Sequence, residues 1–211
     1  MRILAAISAI AEFLPDDVAT FLAVPAHRRI QVDIEEGTSK QVVQGVREGR
    51  APVGVCWDIA DFERLETVPG RIDHLAMAMH PDHPLARRAR LSFVQTLDYE
   101  QVGMPAPSAV QVMFQRAAAR AGKPLQVRTT VSGFDAALRI VAAGLAISVV
   151  PREIARQHAA ARRLRIIPLT DSWARRRFAI CYRDRETLST AARLLVDHLA
   201  ARARRASDAF S

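Results

Sequence analysis

The residues best placed to do chemistry are small hydroxyls at helix starts. The run 131–151, VSGFDAALRIVAAGLAISVVP, holds a polar turn, an apolar-faced helix, a glycine stop and a buried strand. Ser132 can cap a helix that begins near Gly133, with Asp135 in its first turn. Ala137, Ile140, Val141 and Leu145 supply an apolar stripe at helical spacing. Gly144 suits the left-handed residue that ends such a helix, and 145–150 then reads as a strand closed by Pro151. Free N–H groups at a helix start beside a parallel sheet hold an anion without a fixed positive charge. Thr38-Ser39 after Gly37 offers a second such start, and the loop 105–108 ends in a third at Ser108. For any one of these hydroxyls taken singly, helix capping is a sufficient role.

Other chemistries find little support. Ser148 lies in an apolar strand rather than on a nucleophile elbow, and no GxSxG occurs. The nine glycines are dispersed without a GxGxxG phosphate loop. The carboxylate pairs Asp16-Asp17 and Glu35-Glu36 are adjacent in sequence, so their side chains diverge and make no acid–base dyad. Cys56 and Cys181 lie far apart in apolar runs, without metal spacing or a CxxC pair. They read as buried small hydrophobes in a reduced compartment; a redox switch would need the two thiols close in space. His27, His158 and His198 read as surface residues. The sequence assigns no catalytic residue, metal or cofactor.

The elements that must position the helix starts alternate strand and helix. A strand spans 2–6, a helix 9–24 with Pro15 as a break or kink, and a half-buried strand 29–35, where Ile30, Val32 and Ile34 alternate with polar residues. A helix behind Thr38-Ser39 ends at Gly49, and a strand follows at 53–57. Residues 58–70 read as irregular, 72–79 as a strand and 80–86, with two prolines, as a loop. A short helix at 92–97, a strand at 100–104, a helix at 109–121 and a strand at 125–131 lead to the opening run. Then come a helix at 152–160, strands at 164–169 and 177–182, and a last helix from about Thr187. The order predicts parallel, doubly wound sheets in two small α/β lobes. The net charge of +8 is almost all arginine, in groups at 87–90, 162–165, 175–177 and 202–205. None has interleaved aromatics, so each reads as solvated surface. No apolar run approaches the roughly 18 residues that span a bilayer, and the N-terminus does not form a secretory signal.

Several marks in order resemble a known family. These are Leu14-Pro15 and Phe21, then Glu35-Glu36-Gly37, then 46–49 (VREG) before 53–55, then 83–86 (HPLA), and last 141–151 (VAAGLAISVVP). Together they resemble the C-terminal effector-binding (substrate-binding) domain of LysR-type transcriptional regulators, over about residues 1–200. The resemblance implies an α/β fold of two Rossmann-like lobes, periplasmic-binding-protein type II-like, joined by two crossover strands at 72–79 and 177–182. Lobe I would be 1–73 plus 178–205, lobe II 74–177, and 206–211 a tail. A small anionic effector would sit in the cleft between lobes, ringed by Ser8 and Ala9, Thr38 and Ser39, Pro107 and Ser108, and Ser132, Gly133 and Phe134. Trp57 would stack on an aromatic effector or fill the lobe I core, and Phe134 faces the same two readings. His80, Asp82 and His83 fall on the family's turn rather than a metal site.

The family's N-terminal winged helix-turn-helix is absent from this chain, which implies a piece of a longer regulator or a lone sensor that does not itself read DNA. The implied protein is cytoplasmic, contacts no membrane, and forms a homodimer or tetramer through the first helix and a lobe II helix. The alternative is a periplasmic solute-binding protein of an uptake system with the same fold.

Overall fold

A computed structural model describes residues 1–58, 60–105 and 109–208. Pro107 and Ser108 lie outside the described residues. The strands are β1 (Arg2–Ala6), β2 (Asp33–Gly37), β3 (Val53–Trp57), β4 (Glu66–Met79), β5 (Gln101–Gly103), β6 (Val127–Thr130), β7 (Ser148–Pro151), β8 (Arg165–Pro168) and β9 (Arg175–Tyr182). The helices are α1 (Ile7–Glu12), α2 (Leu14–Leu22), α3 (Ser39–Arg47), α4 (Ala109–Arg120), α5 (Phe134–Ala142), α6 (Arg152–Arg162) and α7 (Thr190–Asp208). They fall into two units, Met1–Asp73 with Arg176–Ser211, and His74–Arg175.

In the first unit β1 lies between β2 and β3, parallel to both, and β9 pairs antiparallel with β3. The period of two along a strand divides two cores. Ile3, Ala5, Val53, Val55, Phe178 and Ile180 pack with α1, α2 and α7. Leu4, Ala6, Cys56 and Cys181 pack on the other face with Val42, Val43 and Val46 of α3. Both faces are covered, so these strands read as continuous apolar runs. Gly54 is obligatory: a Cβ there would meet Cys181 Sγ at 2.7 Å and Val42 at 2.8 Å.

In the second unit β4 pairs antiparallel with β7 and β8, and β5 pairs parallel with β6. Phe93, Phe114 and Trp173 form a ring cluster with centroids 5.0–5.8 Å apart beneath Met77 and Met79. A second cluster joins Leu138 and Val141 of α5 to Val150 and Ile154.

Several expectations shift. The helix over 9–24 is two helices broken at Phe13, because Pro15 lacks an N–H and fits only a first helical turn. The strand over 29–35 begins at Asp33; Ile30 and Val32 pack on the core without strand pairing. β4 already starts at Glu66, inside the stretch read as irregular, and 92–97 holds only a 3-10 turn. Gly144 does end α5 at φ +71°, but Leu145 is 52% exposed and joins neither the stripe nor the strand. Pro151 is in β7, opposite Leu75. α7 begins at Thr190, where Ser189 Oγ accepts the N–H of Ala192.

The all-parallel expectation fails at β3–β9, β4–β7 and β4–β8. None of these three pairs is joined by a single strand–helix–strand crossover, the connection on which the parallel expectation rests. His27 and His198 are not simple surface residues. His27 stacks on Phe21 at 4.1 Å, and His198 lies between Phe21, Thr20 Oγ1 and the Asp17 carbonyl. His158 is also half-buried.

Candidate functional site

In the first unit the register aligns Ala6 with Gly37 and Ala5 with Val55. The carboxyl ends of three parallel strands therefore share one edge, the usual place for a ligand in α/β sheets. Ser8, Ala9, Thr38, Ser39 and Trp57 all lie there. α1 starts without a side-chain cap, and Ser8 in its first turn is buried. Thr38 closes a full capping box: its hydroxyl accepts the Gln41 N–H at 3.2 Å, and its own N–H donates to Gln41 Oε1 at 2.8 Å. Its N–H is thereby engaged, which leaves the amides of Ser39 and Lys40 as the free donors of α3. Ser39 Oγ accepts the Trp57 N–H at 3.3 Å and so ties the start of α3 to the end of β3. Trp57 is only 6% exposed, and its ring lies 5.5 Å beneath the Arg176 guanidinium. That environment favours its core role over an open stacking platform.

In the second unit β5 and β6 end together at Gly103 and Thr130, and Val131 N–H donates to the Gly103 carbonyl at 3.1 Å. Ser132 does not cap α5. The N-cap is Gly133, with extended backbone and no side-chain hydrogen bond to the helix start. A Cβ at Gly133 would meet nothing within 4 Å, so the space beside this helix start is open. Phe134 packs against the cluster that contains Leu138 and Val141.

One group of site residues escaped the sequence reading. Arg176 is buried, pairs with Asp73, and lies 3.5 Å from Glu12 at the end of α1. Its guanidinium covers Trp57 and Phe178. Burial lowers the guanidinium to about 10, against the opposing pull of Glu12, so it remains cationic at neutral pH. Asp73 Oδ1 and Arg176 Nε have no hydrogen-bond partner among the described residues. The signal was the strand period: Arg176 shares its face with Phe178 and Ile180, whereas Arg175 and Arg177 face outward. A similar buried carboxylate, Asp17, receives Arg71 at 2.5 and 3.1 Å and Arg202 at 2.9 Å, which pins α2 to β4 and α7.

The remaining candidates are quiet. Cys56 and Cys181 are brought together across β3 and β9, the proximity a redox switch requires. Both are fully buried, however, and the hydrogen bond to Cys181, with burial, pushes the Cys56 thiol far up. Among the described residues no group of three or more His, Cys, Asp or Glu is set to hold a metal ion. No described helix is long and apolar enough to cross a membrane. A cavity of about 300 Å³ in the second unit is lined by His80, His83, Tyr99 and Leu145 among others, and by none of the helix starts.

A family model, the LysR substrate binding domain, matches residues 1–204. The chain belongs to this family. A LysR domain is the effector-binding part of a transcriptional regulator, and the family is not one of enzymes. Over 185 residues the chain is 25% identical to the uncharacterized HTH-type transcriptional regulator YbhD of Escherichia coli (strain K12). The match covers 88% of this LysR domain and 57% of YbhD, so the chain spans little over half of that relative. The regulatory domain of Synechocystis PCC6803 CcmR in complex with 2-PG superposes with a TM-score of 0.84, 19% identity and 97% coverage of each chain. The effector binding domain of QuiR in complex with shikimate gives 0.82, 16% and 97% of each chain. At these identities the likeness establishes the fold, mixed α/β and type II periplasmic-binding-protein-like.

Proposed function

We propose that this LysR domain senses a small anion, held by neutral donors at the helix starts of both units. The contacts are Ser8, Ala9, Thr38 and Ser39 from the first unit and Ser108, Ser132, Gly133 and Phe134 from the second. Pro107 and Trp57 complete the proposed set. The observation that carries this reading is the shared carboxyl edge of β1, β2 and β3, where α1 and α3 start. The solved relatives named above bind shikimate and 2-PG, which supports a ligand of that size. The domain binds rather than turns over its ligand, and the same family assignment disfavours the uptake-protein reading.

Ligand binding acts by population shift, so the effector must prefer one arrangement of the domain. In a cytoplasmic homodimer or tetramer that preference repositions DNA-binding domains carried on the rest of a longer chain. Calorimetry against shikimate, 2-PG and simple aromatic carboxylates tests the reading. A binding anion should lose at least tenfold in affinity when Thr38 and Ser132 are both replaced by alanine, and unchanged affinity would sink the site. Light scattering that shows only monomer at high protein concentration would remove the oligomer.

A further inference from the structure

The chain's charge of +8 is held by one unit alone. His74–Arg175 contains 14 Lys and Arg against 6 Asp and Glu, a formal +8, whereas the other unit holds 16 of each. Within the charged unit the fold joins two arginine groups that are far apart in sequence. The segment 86–91 runs alongside β8: Arg165 Nε donates to the Ala86 carbonyl at 3.3 Å, and Leu91 N–H to the Pro168 carbonyl at 3.1 Å. Leu91 also bridges Leu169 in parallel. Arg87, Arg88 and Arg90 therefore flank Arg163 and Arg165, and all five are exposed.

None of the five pairs with a carboxylate among the described residues. Their neighbours' charges are already matched: Arg162 pairs with Asp135, Lys123 with Asp98, Arg128 with Glu100 and Arg156 with Glu153. Of the acids near by, Asp82 faces His80, and Asp171 accepts the Phe93 N–H. Arg163 ends α6 at φ +53°, a left-handed position that favours glycine.

We propose that this face binds the phosphate backbone of duplex DNA without reading its sequence. Guanidinium forks match phosphate oxygens in pairs, and phosphate contacts alone carry no base information. Neither 86–91 nor 162–166 contains an aromatic residue on which an unpaired base could stack. None of the large exposed hydrophobics lies in 86–91 or 162–166, so an acidic protein segment would find no apolar anchor. This inference goes beyond effector sensing and does not depend on it.

The test is fluorescence anisotropy of the whole chain with a labelled duplex of arbitrary sequence, between about 50 and 200 mM salt. Five phosphate contacts give a log–log salt slope of about −4 to −5, at about −0.9 per contact. The Arg87→Ala/Arg88→Ala/Arg90→Ala variant should lose about three contacts of that slope, and Arg163→Ala/Arg165→Ala about two. Arg28→Ala/Arg29→Ala, on the neutral unit, should bind as the parent does. The two patch variants lie on separate elements, so either one decides if the other fails to fold. No binding at low salt, patch variants that bind like the parent, or polyglutamate bound in preference to the duplex would each overturn the proposal.

Discussion

Replacing Arg176 with methionine keeps an unbranched apolar stem, though a shorter one, and removes the charge. Side-chain exposure is 2% at Arg176, 2% at Asp73 and 7% at Glu12, so solvent cannot take over the two carboxylates. The cluster carries one cation against two anions. Its loss takes the cation from buried Asp73, and breaking such a pair costs about 3–5 kcal/mol. The guanidinium's contacts with Trp57 and Phe178 add to that loss. For a chain of this size the melting temperature should fall by roughly 6–20 °C. Urea denaturation followed by tryptophan fluorescence measures it. The triple variant Glu12→Gln/Asp73→Asn/Arg176→Met neutralises the whole cluster and should recover most of the loss, because neutral replacements of buried ion clusters are tolerated. A single variant within about 1 kcal/mol of the parent, or a triple variant no better than the single, would refute the account of the cluster.

Further expectations concern caps, packing, thiols and protons. Thr38→Ala opens the capping box and should destabilise by about 1 kcal/mol in thermal unfolding. Gly54→Ala overpacks the sheet against Cys181, Val42 and Val46, and should cost about 1–3 kcal/mol in the same assay. A thiol reagent should label neither Cys56 nor Cys181 in the native chain and both in urea; rapid native labelling would contradict their burial. Burial lowers the His83 pKa from its ordinary 6.5, and its Nδ1 accepts the Leu85 N–H at 3.2 Å. The folded state therefore binds the proton less well than the unfolded chain. Stability should fall as pH drops below about 6.5, down to the folded midpoint, and His83→Gln should flatten that slope. An NMR midpoint for His83 above 6.5 would reverse the sign.

Much of the fold was legible because burial on both faces leaves its mark in sequence. β1, β3 and β9 are apolar runs, α3 carries Val42, Val43 and Val46 at helical spacing, and Gly144 stops α5 as its position implied. Strand direction was legible only in part: β1–β2, β1–β3 and β5–β6 are parallel as expected, whereas β3–β9, β4–β7 and β4–β8 are antiparallel. Alternation of elements predicts parallel pairing only where a helix crosses over between the paired strands. The helix starts were visible as hydroxyls, but their use was not. The same Thr38 that suggests a ligand contact also fills its own cap, and the glycine beside Ser132 is the true N-cap of α5. Arg176 was hidden inside a triple of arginines, where charge suggested surface and only strand parity pointed inward. The two arginine groups of the basic face meet only through the pairing of 86–91 with β8, which no local pattern encodes.

The central claim is that a small anion is held by the helix starts rather than by the arginine face. Amide chemical shifts of the uniformly labelled chain, titrated with a carboxylate that binds in calorimetry, test it most directly. The account predicts saturable shifts at Ser8, Ala9, Ser39, Lys40, Gly133 and Phe134, with one common dissociation constant. Shifts confined to Arg87, Arg88, Arg90, Arg163 and Arg165, with the helix starts unmoved, would contradict it.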